Sequence, residues 1–172
     1  RLHTEADPHV PCWFVFDQRY LNHYVFASLF PHQPLPKEML DSGYLRQAAT
    51  IADLANQLGM VAALLRETVS RFNGHAKAGR DPDFGRGDSA YNRYFGDPTN
   101  KPSPNLAPID KAPFYAVKVF AGDLGTKGGL VTDEFARVKR GDGSVIEGLY
   151  AVGNSSASVM GTTYPGPGAT IG

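Results

Sequence analysis

The chain has almost no cysteine, no net charge and no long apolar run, and each shortage closes off a class of protein. Cys12 is the single cysteine, so no disulfide forms within the chain, and its place in an apolar run predicts a buried structural thiol. Basic and acidic residues balance at 17 each, which leaves no electrostatic case for nucleic acid or an anionic membrane surface. No segment reaches the ~20 apolar residues of a transmembrane helix, and Arg1 to Asp7 has no signal-peptide pattern. A soluble, cytoplasmic protein is the expectation. His3, His9, His23, His32 and His75 are scattered without a second ligand at metal spacing, so no metal site is expected. The Gly-x-Ser-x-Gly and Gly-Lys-Ser/Thr signatures are missing, and so is the Gly-x-Gly-x-x-Gly turn that holds a dinucleotide.

What is there begins with an ordered change of periodicity. Val10 to Phe16 reads as a buried strand ending at Asp17. Tyr20 to Phe30 is aromatic-rich, with Tyr24, Phe26 and Phe30 in reach of one face; this cluster reads as core, with a lining for an apolar pocket as the alternative. A proline-rich break spans Pro31 to Lys37. Thr50 is then a helix cap, with Asp53 three positions on and Ile51, Leu54, Ala55 and Leu58 on one face, before Gly59 as the stop. Leu65, Val69 and Phe72 form the stripe of a second helix over Ala62 to Ala76, and the two helices read as a hairpin.

From Gly79 to Ala112 the pattern dissolves into Gly, Pro, Asp and Asn, a loop long enough to be functional or mobile. Arg80, Asp83 and Arg86 within it read as a solvated turn. After Pro113 the period becomes two. Phe114 to Ala121, Gly128 to Val131, Phe135 to Arg140 and Val145 to Val152 read as extended segments, with Gly141 to Ser144 as a hairpin turn and Thr132 and Asp133 as turn residues. Helices followed by a β-rich tail predict an α+β fold, or pieces of two domains, with a boundary between residues 125 and 126.

Two places near the end carry chemistry. Gly148 to Asn154 is a strand running into a glycine, where backbone without a Cβ admits a ligand closely and Asn154 offers donors and an acceptor. Beyond it, Thr163-Tyr164-Pro165-Gly166-Pro167-Gly168-Ala169-Thr170 sets a phenol four residues before a glycine with prolines between. A tyrosine O–H and backbone N–H groups converging on one oxygen make an electrophilic site, and a helix start beside them suits an anionic cofactor edge. The same turn also reads as an aromatic anchoring a Pro-Gly bend.

Gly148 to Asn154 resembles the C-terminal flavin-binding signature of the fumarate reductase and succinate dehydrogenase flavoprotein superfamily. Its continuation from Ser155 to Gly172 resembles the 3-ketosteroid Δ1-dehydrogenase branch. Phe16 to Tyr20, Asp83 to Gly87, Pro113 to Val117 and Gly122 to Asp133 follow that branch in order and spacing. The resemblance covers essentially the whole chain.

It implies an FAD enzyme in which hydride leaves C1 of a 3-ketosteroid and a proton leaves C2. Tyr164 and the Gly168 N–H would then bind the C3 carbonyl oxygen. Ala169 and Thr170 would direct N–H groups at the flavin N1–C2 edge, and Gly153 and Asn154 would lie along the ribityl or pyrophosphate part. The implied fold is most of a substrate domain over 1–125, followed over 126–172 by a β-rich return into the FAD-binding domain. Two further tyrosines of the family, the proton-abstracting one among them, would precede residue 1, so neither Tyr20 nor Tyr24 is assigned as base and Tyr24 is kept only in reserve. The implied partners are a 3-ketosteroid and an electron acceptor the sequence does not identify. The rivals are a related flavin-dependent enone or fumarate-type reductase, and a structural module that is inactive alone.

Overall fold

The computed structural model describes residues 4–6, 9–122 and 128–161. Its helices and strands form an α+β fold that divides into two compact units, Arg1–Phe120 and Ala121–Gly172. The expected boundary after residue 125 falls outside the described residues, as do Tyr164, Gly168, Ala169 and Thr170. No helix among the described residues is long and apolar enough to cross a membrane.

In the first unit, strand β1 (Cys12–Asp17) leads directly into helix α1 (Gln18–His23), whose first turn is capped by Asp17. Helix α2 (Lys37–Asp41) and strand β2 (Leu45–Ala48) follow. Helices α3 (Ile51–Gln57) and α4 (Ala62–Ala78) then pack on each other as the expected hairpin. Thr50 Oγ1 accepts the Asp53 N–H at 3.0 Å and donates to its carboxylate at 2.7 Å, so the cap works in both directions. Gly79, in the left-handed region at φ +69°, closes α4.

After the short helix α5 (Ala90–Tyr94), strand β3 (Phe114–Val119) enters between β1 and β2, antiparallel to both. One face of this sheet carries Phe16, Leu45, Tyr115 and Val117 against Leu21 and Phe26. Ala48, Leu54 and Ala116 pack in a second cluster, with Trp13 and Leu58 beside it.

Two expectations fail here. Cys12 is exposed, because it opens strand β1, whose buried positions lie at the other end, Phe16 and Asp17. The Tyr20–Phe30 segment is helical only to His23. Ala27 and Ser28 then adopt positive φ in a tight turn closed by mutual Phe26–Leu29 hydrogen bonds, which buries Phe26 and leaves Phe30 64% exposed. In the loop after Gly79, Arg80, Asp83 and Arg86 are exposed as a solvated turn requires, while their neighbour Asp81 is not. Asp81 is buried and ion-paired to Arg86, whose guanidinium also lies over the rings of Phe72 and Phe84.

The second unit is a hairpin of strands β4 (Arg137–Lys139) and β5 (Val145–Tyr150) around the Gly141–Ser144 turn. Gly143 takes the positive φ that the turn needs, +87°. Val138 and Ala151 are its buried apolar side chains among the described residues. Asp133 is a turn residue as expected. Its carboxylate accepts the Phe135 and Arg137 N–H groups and pairs with the Arg137 guanidinium at 2.7 Å, which lowers its pKa below the usual carboxylate value.

Candidate active site

In the second unit, the glycine-rich segment meets the strand-to-glycine segment. After β5, Val152 stays extended and Gly153 turns the chain at φ +59° into a single 3-10 turn, Gly153–Ser155. Ser156 closes that turn, its N–H and its hydroxyl both donating to the Gly153 carbonyl at 3.1 and 2.9 Å. Leu130 runs alongside in parallel, donating to Ser155 O at 3.0 Å and accepting from Ala157 N at 2.9 Å.

The approach is close enough to demand glycine at position 129. A Cβ built there would stand less than 3.0 Å from the Ser156 carbonyl group and 2.8 Å from Ala157 N. The turn at Gly153 and Asn154 is solvent-exposed on this frame. Exposed backbone without a Cβ, followed by an amide side chain, fits the close passage of a polar, elongated cofactor segment.

In the first unit, a cavity of about 420 Å³ opens between β1, α1 and the segment from Phe95 to Ile109. Phe14, Tyr20, Phe72, Phe95, Leu106 and Ile109 are among its walls, with Arg19, Tyr24 and Asp97 as polar members. The wall segment lacks regular structure, and polar side chains hold it instead. Asn73 on α4 donates to Ile109 O at 2.9 Å and accepts Ile109 N–H at 2.7 Å, imitating a strand pair. The buried Asp17 carboxylate accepts Asp110 N–H and Lys111 N–H, each at 2.9 Å. Asn100 Nδ2 reaches both Ser103 O and Leu106 O.

Tyr24 donates to Asp97 at 2.7 Å across the same cavity. Burial, reinforced by that carboxylate, pushes the Tyr24 phenol up to about 12. The Thr99 hydroxyl and then Tyr24 hold Asp97 down at about 2. A phenol so raised and already donating to an anion is a poor proton acceptor near neutrality. Of the aromatic cluster, Phe26 is core while Tyr20 and Tyr24 line the cavity, so both readings hold for different members.

Sequence reasoning missed Asp97, Asn73 and Asp17. Asp97-Pro98-Thr99-Asn100 carries the signature of an aspartate-led turn and marks where to look. The fold also gathers His75, Asp81 and Asp83, with ligand atoms within 4.8 Å, which spacing along the chain concealed. Arg86 and Arg71 neutralise the two carboxylates, so the cluster reads as an ion-pair network tying α4 to the loop.

Residues 2–171 match the model of the FAD binding domain family. The chain belongs to that family. It is 56% identical over 163 residues to a 3-oxosteroid 1-dehydrogenase of Mycobacterium tuberculosis, spanning 95% of this chain and 29% of that protein. It is 46% identical to a 4-oxocyclohexanecarboxylate 2-dehydrogenase of Sinomonas cyclohexanicum, over 94% of this chain and 27% of the relative. Its fold matches the crystal structure of 3-ketosteroid Δ1-dehydrogenase from Sterolibacterium denitrificans in complex with 1,4-androstadiene-3,17-dione. That match has a TM-score of 0.84 and 46% identity, over 94% of this chain and 29% of the other. The chain therefore spans under a third of the length of these relatives.

Proposed function

We propose that this chain is part of a flavin-dependent 3-ketosteroid Δ1-dehydrogenase, the first unit belonging to its substrate domain and the second to the return into its FAD-binding domain. The observation that carries the reading is the 56% identity to a 3-oxosteroid 1-dehydrogenase across nearly the whole chain. FAD, when bound, supplies the acceptor for hydride from C1 of the steroid.

The residues of this chain act around that chemistry. The Tyr164 hydroxyl and the Gly168 N–H donate to the C3 carbonyl oxygen, which acidifies the proton at C2 by stabilising enolate character as it departs. The N–H groups of Ala169 and Thr170 favour negative charge at the flavin N1–C2 edge. Gly153 and Asn154 would hold the ribityl or pyrophosphate stretch, a role supported by the exposed positive-φ turn they form. A separate electron acceptor regenerates the oxidised cofactor.

A second reading has an observation behind it, the 46% identity to an enzyme named for a monocyclic oxo-acid. A substrate panel with the complete enzyme separates the two. Dehydrogenation of 3-ketosteroids with little turnover of 4-oxocyclohexanecarboxylate is the expected result, and the reverse preference would replace the steroid reading.

A further inference from the structure

We propose that a second cavity of the first unit, about 600 Å³ beside the three-stranded sheet, binds a phosphate monoester of an aromatic alcohol. Its walls include Trp13, Ser42, Tyr44, Arg46, Lys118 and Phe120, and no carboxylate. The volume lies within the ~300–1,000 Å³ of small-molecule sites. The site is read from this lining and needs nothing of the flavin chemistry above.

Sheet register puts the two cations together. Arg46 on β2 stands opposite Ala116 on β3. Lys118, two residues further along β3, shares that face and stands opposite Trp13 on β1. Diagonal neighbours on one face are ~7–8 Å apart, within reach of long side chains. Helix α3 covers the same face further along, where Leu54 packs with Ala48 and Ala116. The helix ends at Gln57, and the face beyond it carries Arg46, Lys118 and Trp13.

Both cations are placed but not neutralised. The Arg46 guanidinium lies against Gly43, where a Cβ would stand 3.0 Å from Nη2 and 3.1 Å from Cζ. Gly43, at φ +72°, gives the fork its bed. Lys118 Nζ sits 5.4 Å from the centre of the Trp13 ring. Among the described residues, carboxylates hold Arg19, Arg71, Arg86 and Arg137, but neither Arg46 nor Lys118. The last turn of α3 has partners of its own, the Leu54, Ala55 and Asn56 carbonyls accepting from Leu58, Met60 and Gly59. The balanced charge of the whole chain conceals this pocket, because the acids that offset its cations lie outside it.

The chemistry selects the ligand. A phosphate monoester carries about two negative charges near neutrality, matching two cations, where a carboxylate carries one. A guanidinium fork grips two of its oxygens and an ammonium a third, and the Tyr44 and Ser42 hydroxyls add donors. Phe120, 66% exposed, and the Trp13 ring supply apolar surface for the aromatic portion.

Trp13 is the single tryptophan of the chain, so its emission reports on this cavity directly. With the full 172-residue chain, phenyl phosphate should change that emission saturably. Inorganic phosphate lacks the ring and benzoate lacks the second charge, so each should need a concentration about tenfold higher or more. Arg46→Gln and Lys118→Gln each remove one charged donor at an exposed position. Each should raise the half-saturating concentration of phenyl phosphate about tenfold or more, with circular dichroism checking that the chain stays folded.

No saturable change with phenyl phosphate, or half-saturation by benzoate or inorganic phosphate at the same concentration, would overturn the proposal. So would half-saturation unmoved in folded Arg46→Gln and Lys118→Gln chains. The ligand series uses the unaltered chain, so it decides the matter even where a variant fails to fold.

Discussion

Gly129 and Ser156 lie backbone against backbone, so close that a methyl group on Gly129 has nowhere to go. The contact joins two motifs that stand far apart in sequence, the Gly128-Gly129-Leu130 run and the turn after Gly153. Gly129→Ala must push the Ser155–Ala157 segment away and break the Leu130 hydrogen bonds. A loss of about 1–3 kcal/mol in stability is expected, read as a lower urea midpoint. An unchanged midpoint would mean that the two segments are not packed as described.

The reciprocal bonds of Asn73 and Ile109 make a different kind of prediction. Asn73→Ala leaves both the N–H and the carbonyl of Ile109 without the partner they now have. The expected cost is about 1–3 kcal/mol, and hydrogen exchange should quicken at Ile109 while the β1–β3 amides keep their protection. Exchange that quickens equally throughout would show a global effect and argue against a local clamp.

The Tyr24–Asp97 pair sets a pH window. Asp97 is held at about 2 against an ordinary 3.8, so its contribution is complete above about pH 4 and is lost as pH falls toward 2. Tyr24 is held at about 12 against an ordinary 10.0, so its contribution is complete below about pH 10 and is lost as pH rises toward 12. Urea midpoints compared between the unaltered chain and Tyr24→Phe should therefore differ most between pH 4 and 10. The difference should narrow on both sides. A difference that stays constant into alkali would place the Tyr24 proton elsewhere.

Much of the frame was legible from short-range chemistry. Thr50 with Asp53, the Leu65–Val69–Phe72 stripe, and Gly143 in its turn each state their structure within a few residues, and each forms as expected. The failures share a cause. Strand β2 has four residues and no alternation of its own, and it exists because β3 offers an edge to pair with. Phe30 and Cys12 have apolar sequence neighbours, yet a positive-φ turn and a strand start decide their exposure.

The cavity was half-legible. Its aromatic members stood out in Tyr20 and Tyr24, but its far wall depends on Asn73, Asp97 and Asn100 bonding to backbone groups that no local pattern reveals. The residues assigned to the carbonyl and the flavin edge, Tyr164, Gly168, Ala169 and Thr170, rest on their motif.

In the proposed reaction Tyr164 polarises the steroid carbonyl. The most direct measurement is turnover of a 3-ketosteroid by the complete enzyme carrying Tyr164→Phe, with its flavin content measured in the same sample. Removing one of two donors to a developing oxyanion should cost ~3 kcal/mol of barrier, a rate lowered about a hundredfold, with bound FAD unchanged. Turnover equal to that of the unaltered enzyme would contradict the account.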